Sequence, residues 1–588
     1  MPGLKYNYDS IPIRRKKIPT RITPSNHKQP APGRPAGFLF LRGLCCLLLL
    51  ACTACAACGK AKPVLLSVSP AAVLPGEILT VTGENFGDTQ EGAYLTIANM
   101  NPTLSSYIEW TDSRIRVRIP DFGESALVRF HRKNKTSAPR LIFHRESLPL
   151  PVEEDGIGRT PRILSVEPAS GSIGDLIILQ GSNFGFTRNG SGVFFTRETE
   201  TGPGENLPGV EVFENEFGYE QWHDKEIQVR IPDGAVSGNL EVRTLRGNSA
   251  PVFFEVTGKP GAKVYQDRLT YEVSYNVEIQ TGKNSGPNTL YLWFPHPVVS
   301  ASQPVVQHLR RTEEPFVENY RDTTLFKLND MQKNTTRMIA LSYRVEVYAV
   351  ETQVNSAQIR SRGTSPIKTV YTLPGPLIPS DDPGIEAKAA EIIQREQNPY
   401  LKARRLYEWL IDQGGIGQEP QEGGAVEALE RGQADSYGAA LLFCALARAA
   451  AVPAIPLSGV LIREDRSTSR HFWAEFWIDG FGWVPLDPVL GAGRAPPDFE
   501  LPENPRQYYF GNLDNRRVAF TRDQTVLSRM EVRGKTVSRD REYALQNFWE
   551  EALGEAESYT SLWSDVIIET AERPSEPGAA IPIERRSR

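Results

Sequence analysis

Alternating apolar and polar positions run through the first two thirds of the chain and predict a region built from β-strands. Residues 64–87 and residues 162–185 are near copies that align without a gap, and a second similar pair, 110–121 and 222–233, follows them. In the first pair, alternating Ile, Leu and Val residues predict a strand that ends at a glycine. In the second pair the strand ends at a proline, because proline has no N–H to donate to a sheet. The repeat therefore predicts two antiparallel β-sandwiches in tandem.

A third β-region and then a set of helices follow the repeat. Residues 264–375 contain two long alternating segments, which predict a further sandwich-like domain. After Pro383 the apolar positions take the spacing of an amphipathic helix, and Asn398 with Pro399 has the pattern that begins a second helix. A third helix is predicted within residues 431–450, and a strand follows it.

The segment HFWAEFWIDGFGWVPLDP, from His471 to Pro488, has the pattern of a β-hairpin. Asp479 and Gly480 form a strong turn sequence in its middle. Alternation divides the side chains of the first strand between two faces, and His471 shares its face with both tryptophans and the glutamate of that strand. A turn of about two to four residues brings Asp487 near His471 on the neighbouring strand. An aspartate there can fix the tautomer of the imidazole and stabilise its protonated form.

Composition narrows the classes of function. The net charge is −5 and the isoelectric point is near 6.0, which argues against nucleic acid as a partner. Five of the six cysteines lie between Cys45 and Cys58, and only Cys444 comes later, so we expect no disulfide within the folded domains. The seven histidines lack metal-ligand spacing, and no phosphate-binding glycine loop is present. The sequence therefore predicts no metal site and no cofactor.

The N-terminus has the pattern of an export signal. A basic stretch over residues 1–37 precedes a short apolar run crowded with cysteines. This run resembles a bacterial lipoprotein signal, which implies a lipidated cysteine and a lipid anchor in the membrane. Cys52 fits the lipidation pattern best, and Cys55 and Cys58 are alternatives; a signal-anchor helix is another interpretation. We predict an export segment at 1–58 and an exported protein anchored on the periplasmic or surface side of the cell envelope.

Each copy of the repeat contains a proline, a glycine, a strand and then the sequence G-x-N-F-G. This block resembles the IPT/TIG domain. The resemblance covers residues 63–147 and 161–257, and it implies two immunoglobulin-like β-sandwiches that act as spacer or interaction modules.

The third helix, the sequence ALARAAAVPA, the strand HFWAEFW and the sequence GWVPLDP together resemble the bacterial transglutaminase-like domain, a relative of papain-fold cysteine proteases. The resemblance covers about residues 384–495, and later closing strands extend the predicted α+β domain over 384–565. A tail at 573–588, rich in Pro, Arg and Glu, is predicted to be disordered.

The family resemblance implies a Cys–His–Asp triad. His471 and Asp487 match the histidine and the aspartate of that triad. The family's cysteine lies 17 residues before the proline of a G-I-P-A sequence, and the same count from Pro453 reaches Ser436. Serine therefore occupies the position of the nucleophile.

This replacement changes the chemistry of the site. A thiol with a pKa of about 8.5 becomes a thiolate at a helix N-terminus beside a histidine, whereas a serine hydroxyl must lose its proton during the attack. Asp435 and Ser436 also both suit a helix N-cap, which offers a structural role for Ser436. Cys444 lies among apolar neighbours further along the helix, so we expect a buried core side chain there and not the nucleophile.

Three hypotheses follow from these residues. The first is a cell-envelope lipoprotein whose transglutaminase-like domain has lost catalysis and binds a protein or peptide. The alternative is an enzyme, a serine-based peptidase, amidase or acyl transferase that uses Ser436, His471 and Asp487. A third is a purely structural role for the last domain. Glu475 shares the face of His471, and we expect it to be an exposed strand residue.

Overall fold

The computed structural model describes residues 62–573 apart from short gaps. The gaps lie at residues 91, 99, 124, 134, 146–159, 189, 198–208, 214–216, 283–287, 360–362, 364, 414, 418–420, 532, 540 and 555–558. The predicted export segment with Cys52, Cys55 and Cys58 lies outside the described residues, as do residues 574–588 of the predicted tail. No helix within the described ranges is long and apolar enough to cross a membrane.

The first repeat folds as two packed sheets. Its strands are β1 (Val64–Ser69), β2 (Ala72–Val73), β3 (Ile78–Glu84), β4 (Ala93–Ile97), β5 (Tyr107–Trp110), β6 (Arg114–Arg118), β7 (Ser125–Arg132), β8 (Lys135–Thr136) and β9 (Arg140–His144). One sheet has the order β1-β3-β6-β5 and the other β2-β9-β7-β4, with β8 paired to β7. Alternate residues of these strands, such as Leu79, Val81 and Phe130, are fully buried between the sheets. The period-2 pattern thus forms a sandwich core.

The second repeat has the same arrangement of strands. They are β10 (Arg162–Glu167), β11 (Ser170–Gly171), β12 (Leu176–Ser182), β13 (Gly192–Arg197), β14 (Val210–Glu211), β15 (Tyr219–His223), β16 (Glu226–Arg230), β17 (Ala235–Thr244), β18 (Gly247–Asn248) and β19 (Val252–Val256). The sheets are β10-β12-β16-β15 and β11-β19-β17-β13-β14, with β18 on β17. Both copies need glycine at the same point, because a Cβ on Gly83 or Gly181 would lie 2.1 Å from a carbonyl oxygen of the neighbouring strand.

Two long strands form the centre of the third β-region. The strands are β20 (Gly261–Thr281), β21 (Asn288–Pro295), β22 (Val305–Arg311), β23 (Thr323–Asn329) and β24 (Thr336–Val354). β20 and β24 pair in antiparallel fashion over almost their whole length. β22 extends this sheet at β24, and β21 with β23 belongs to a second sheet.

The helical region packs against a four-stranded sheet. Its helices are α1 (Pro366–Tyr371), α2 (Pro383–Ile393), α3 (Pro399–Gln413), α4 (Ala425–Arg431), α5 (Ser436–Ala449), α6 (Pro488–Gly491) and α7 (Pro505–Tyr508). Its strands are β25 (Ala454–Ile462), β26 (Thr468–Ile478), β27 (Gly482–Leu486) and β28 (Arg517–Arg522), in the order β27-β26-β25-β28. As predicted, Asn398 caps α3, since its side chain accepts hydrogen bonds from the N–H groups of Tyr400 and Leu401. α5 is buried on nearly every side and contacts Phe472 and Phe476 of β26.

The last strands of the chain return to the third β-region. They are β29 (Lys535–Val537), β30 (Glu550–Gly554), β31 (Tyr559–Trp563) and β32 (Ile567–Glu572). β31 and β32 pair with β20, and β30 pairs with β21. The predicted transglutaminase-like domain extends to residue 565, but the strand pairing places β30 and β31 in the sheets of the third β-region. Periodicity identifies a strand but not the sheet edge that it joins, which explains the difference.

Candidate functional site

Helix α5 begins at the position that the sequence analysis assigned to the nucleophile. Ser436 is its first residue and is half-buried. The helix cap is Asp435, whose Oδ1 accepts a hydrogen bond of 2.8 Å from the N–H of Gly438. The capping role therefore belongs to Asp435, and the Ser436 hydroxyl makes no hydrogen bond to another described residue.

The hairpin brings His471 and Asp487 together. Its turn has three residues between Ile478 and Gly482, and Ala474 pairs with Leu486, so Asp487 follows the end of β27 near His471. His471 Nε2 lies 2.8 Å from Asp487 Oδ2. The histidine is 3% exposed and the aspartate is completely buried. The contact that the strand spacing predicts is present, and it is shielded from water.

A buried arginine completes this pair, and the sequence analysis did not identify it. Arg517 lies on β28, and its Nη1 is 3.0 Å from the same Asp487 oxygen that bonds His471. Its Nη2 lies 2.7 Å from Asp514 Oδ2. Burial alone would raise the pKa of Asp487, but the charge and hydrogen bond of His471 and the charge of Arg517 outweigh it and hold that pKa below its ordinary value. Asp487 is therefore ionised at neutral pH.

The ionised carboxylate fixes the tautomer of His471. Because Asp487 can only accept, the Nε2 of His471 carries a hydrogen in both charge states of the ring, and in the neutral ring the lone pair is on Nδ1. The other oxygen of Asp487 accepts a hydrogen bond of 3.1 Å from the N–H of Leu490 at the start of α6, which holds the carboxylate in place. Arg517 already neutralises part of this carboxylate, so Asp487 offers less attraction to an imidazolium than an unshared partner would.

The start of α5 and the start of the histidine strand lie side by side. The ring of Tyr437 contacts the ring of Phe472 edge to face, with 5.1 Å between their centres. These residues directly follow Ser436 and His471. Even so, no hydrogen bond joins Ser436 to His471 in the described part of the chain. Of the three predicted site residues, His471 and Asp487 are therefore hydrogen-bonded to each other, and Ser436 is not bonded to either.

Glu475 is not the exposed residue that the sequence analysis expected. It is 7% exposed, and its Oε2 lies 2.6 Å from Nη2 of Arg522 on β28. The face of β26 that carries it is covered, because Trp473 and Trp477 of that face pack into the core that includes the second repeat. Strand periodicity distinguishes the two faces but cannot tell that both are covered.

Cys444 lies within the core between α5 and the sheet. Its side chain is completely buried, and burial raises the pKa of its thiol well above the ordinary value. Among the described residues, no group of three or more His, Cys, Asp or Glu side chains is placed to hold a metal ion.

We expect Cys444 to resist alkylation in the folded protein, because the buried thiol is both unionised and inaccessible. Iodoacetamide at pH 8 should modify it about 100-fold more slowly than in denaturant. The rate is measured by mass spectrometry on the peptide that contains Cys444. A folded-state rate within a few-fold of the denatured one would contradict the buried position.

Comparisons with known proteins identify two of the domains. The family model for the transglutaminase-like superfamily matches residues 386–488, and the IPT/TIG domain model matches residues 63–139. The chain contains an IPT/TIG domain and a transglutaminase-like domain. The predicted fold class is thereby confirmed: a mostly β-sheet protein with immunoglobulin-like domains before a transglutaminase-like domain that carries the helices.

Individual relatives are distant. An uncharacterized protein of Haemophilus influenzae is 25% identical over 164 residues, which cover 22% of this chain and 44% of that protein. This chain therefore spans less than half the length of that relative. The solved structure of a candidate cysteine protease from Cytophaga hutchinsonii has a TM-score of 0.35 and 16% identity, and the match covers 53% of this chain and 93% of that one. SGBP-B from a xyloglucan utilization locus of Bacteroides uniformis has a TM-score of 0.13 and 12% identity, over 49% and 99% of the two chains. Scores this low carry no argument about function.

Proposed function

We propose that the protein is an exported, lipid-anchored protein of the cell envelope whose transglutaminase-like domain binds a protein or peptide without turning it over. The basic and then cysteine-rich N-terminus supports the export and the anchor. The second repeat, which has the strand order of the IPT/TIG domain before it, is proposed as a second such domain.

One observation carries the loss of catalysis. Ser436 stands at the start of α5, where the family resemblance implies a cysteine, and its hydroxyl makes no hydrogen bond to His471. A cysteine there would ionise before the reaction, whereas a serine needs the base in contact at the moment of attack. Arg517 shares the Asp487 carboxylate, so that carboxylate is not held for His471 alone. A domain of this kind keeps its fold and acts through binding.

A second candidate is a serine-based peptidase, amidase or acyl transferase. The observation that favours it is the buried hydrogen bond between His471 and Asp487, which leaves His471 Nδ1 as a base on the remaining side of the ring. Small movements that shorten catalytic hydrogen bonds on substrate binding are common in enzymes of this type.

Labelling with a fluorophosphonate probe separates the two candidates. We expect the native chain and a Ser436→Ala variant to be labelled equally weakly, because the hydroxyl has no base in contact. Labelling of the native chain that disappears in Ser436→Ala would overturn the binding proposal in favour of the serine enzyme. The bound probe is measured by mass spectrometry on the peptide that contains Ser436.

A Ser436→Cys variant tests whether the rest of the site is intact. His471 and the helix N-terminus should lower the pKa of the new thiol, so that iodoacetamide reacts with it about tenfold faster than with a matched control. The control is Ser365→Cys, which places a thiol at another half-buried helix start, the cap of α1, where no histidine pair stands. Equal rates for both thiols would show that His471 does not reach the start of α5.

A further inference from the structure

A cavity of about 570 Å³ lies away from the histidine site. Its wall is built from both repeats, the third β-region and the transglutaminase-like domain, represented by Thr103, Phe217, Tyr343 and Trp483. None of Ser436, His471 and Asp487 lines it. The wall includes solvent-exposed residues such as Glu318, so the cavity opens to the surface. Its volume is in the range of small-ligand sites.

An unusual turn places a charged pair of residues at this cavity. Tyr320 and Thr323 exchange two backbone hydrogen bonds, of 2.7 and 3.2 Å, around a two-residue turn. Both turn residues, Arg321 and Asp322, have positive φ angles, of 56° and 59°. Such turns favour glycine or asparagine, and left-handed residues with long side chains persist where the surrounding fold holds them, often at binding sites.

The carboxylate of Asp322 has no partner within the described ranges. It makes no ion pair, and no hydrogen bond reaches either of its oxygens. Part of its surface is accessible, yet burial is the strongest influence on it and raises its pKa, with His296 acting in the opposite direction. Asp322 lines the cavity, so part of its accessible surface faces that space.

Three of the other acidic groups of the wall are paired with arginine, and the fourth, Asp121, also has an interacting neighbour. Glu211, Glu318 and Asp523 each lie beside an arginine, at 3.6, 2.9 and 3.1 Å respectively. The neighbouring Arg321 donates from Nη1 to the carbonyl oxygen of Val526 and makes no ion pair with Asp322 among the described residues. A partly buried carboxylate without a hydrogen bond or ion pair carries a desolvation cost, and a bound cation relieves that cost.

We propose that this cavity binds a ligand through a primary ammonium group that pairs with Asp322. The aromatic rings of Phe217, Tyr320 and Tyr343 line the same space, and aromatic faces attract cations. A lysine side chain and the amino terminus of a peptide both carry this group. The inference does not rest on the proposed function of the histidine site, because the two sites share no residue.

Isothermal titration calorimetry on the full chain tests the proposal with three probes. Nα-acetyl-lysine amide offers a side-chain ammonium, glycylglycinamide offers a terminal one, and Nα-acetyl-norleucine amide has nearly the shape of the first without its charge. We expect one of the charged probes to bind and the neutral one not to bind. The charged probe that binds identifies the source of the ammonium group.

Two variants link the binding to Asp322. Asp322→Asn removes the charge and keeps a residue that tolerates a positive φ, so the turn is preserved; it should weaken binding about tenfold or more. Asp330→Asn is the matched control, since Asp330 also has a positive φ, 48°, but is exposed and outside the cavity. It should leave binding unchanged. The proposal is overturned if neither charged probe binds at millimolar concentration, if the neutral probe binds equally well, or if Asp322→Asn binds as tightly as the native chain.

Discussion

An Asp487→Ala variant is expected to lose about 3–5 kcal/mol of unfolding free energy. Asp487 is completely buried and accepts hydrogen bonds from His471, Arg517 and the N–H of Leu490. Its removal leaves the guanidinium of Arg517 buried with only Asp514 as its partner and takes the cap from α6. A buried charge that loses its partner costs far more than the pair contributes, which sets the size of the expected effect.

Equilibrium unfolding in urea measures this effect, followed by the fluorescence of the tryptophans that pack beside the site. Asp412→Ala is the control, because Asp412 pairs with Arg506 in a two-bonded contact that is exposed on both sides. That variant should change the unfolding free energy by less than about 1 kcal/mol. Equal losses in the two variants would contradict a special role for the buried cluster.

The difference in unfolding free energy between the native chain and Asp487→Ala should depend on pH, which gives a further test of the same variant. The pKa of Asp487 is lowered by folding, so its contribution to stability is present above the unfolded pKa of about 3.9 and is lost as the pH falls through the folded pKa. The difference in unfolding free energy between the native chain and Asp487→Ala should therefore be constant near neutral pH and become smaller below about pH 4. If the difference in unfolding free energy between the two proteins increased as the pH fell, Asp487 could not be the ionised group that stabilises the fold.

Local patterns were sufficient to predict the elements of the fold and part of the site. Alternation found the strands of both repeats, and the side-chain chemistry of Asn398 found the start of α3. The contact between His471 and Asp487 was also predictable, because one hairpin carries both residues and its turn sequence limits the register. In each case the interacting residues are close in sequence.

The features that could not be predicted depend on distant parts of the chain. Arg517 reaches Asp487 only because β28 pairs with β25, and no sequence signal marks that pairing. Glu475 is buried because another domain covers its face of the sheet. The cavity around Asp322 needs four regions to assemble, so no single segment reveals it. Sequence periodicity describes one helix or strand at a time, whereas each of these features depends on several helices or strands that are distant in sequence.

Ser436 and Arg517 both bear on the proposed loss of catalysis. In the binding proposal, serine stands where the family resemblance implies a nucleophile that ionises in advance, and Arg517 shares the carboxylate that bonds His471. In that proposal, a serine hydroxyl would need His471 as its base, and the carboxylate that bonds His471 is shared with Arg517. The proposal of binding without turnover rests on this combination, and the buried cluster is therefore tested by stability as well as by activity.

A Gly459→Ala variant is expected to lose about 3 kcal/mol of unfolding free energy, although it adds a single carbon. Gly459 lies in the central strand β25, opposite His471 on one side and Ala519 on the other. A Cβ there would lie 1.9 Å from the backbone oxygen of Val518 and 2.9 Å from its carbonyl carbon. Backbone atoms within a sheet cannot rotate away as a side chain can, so β28 must move.

Movement of β28 would displace Arg517 with it, since Val518 is the next residue along the strand. The Gly459→Ala variant should therefore also weaken the buried cluster, and its loss of stability should not add fully to that of Asp487→Ala in the double variant. The matched control is Gly123→Ala, an exposed glycine with a negative φ whose Cβ would meet no atom within 4 Å. It should leave stability unchanged or raise it by about 0.5 kcal/mol. Fully additive losses in the double variant would show that β28 accommodates the new carbon without moving Arg517, and that the site tolerates changes in its supporting strand.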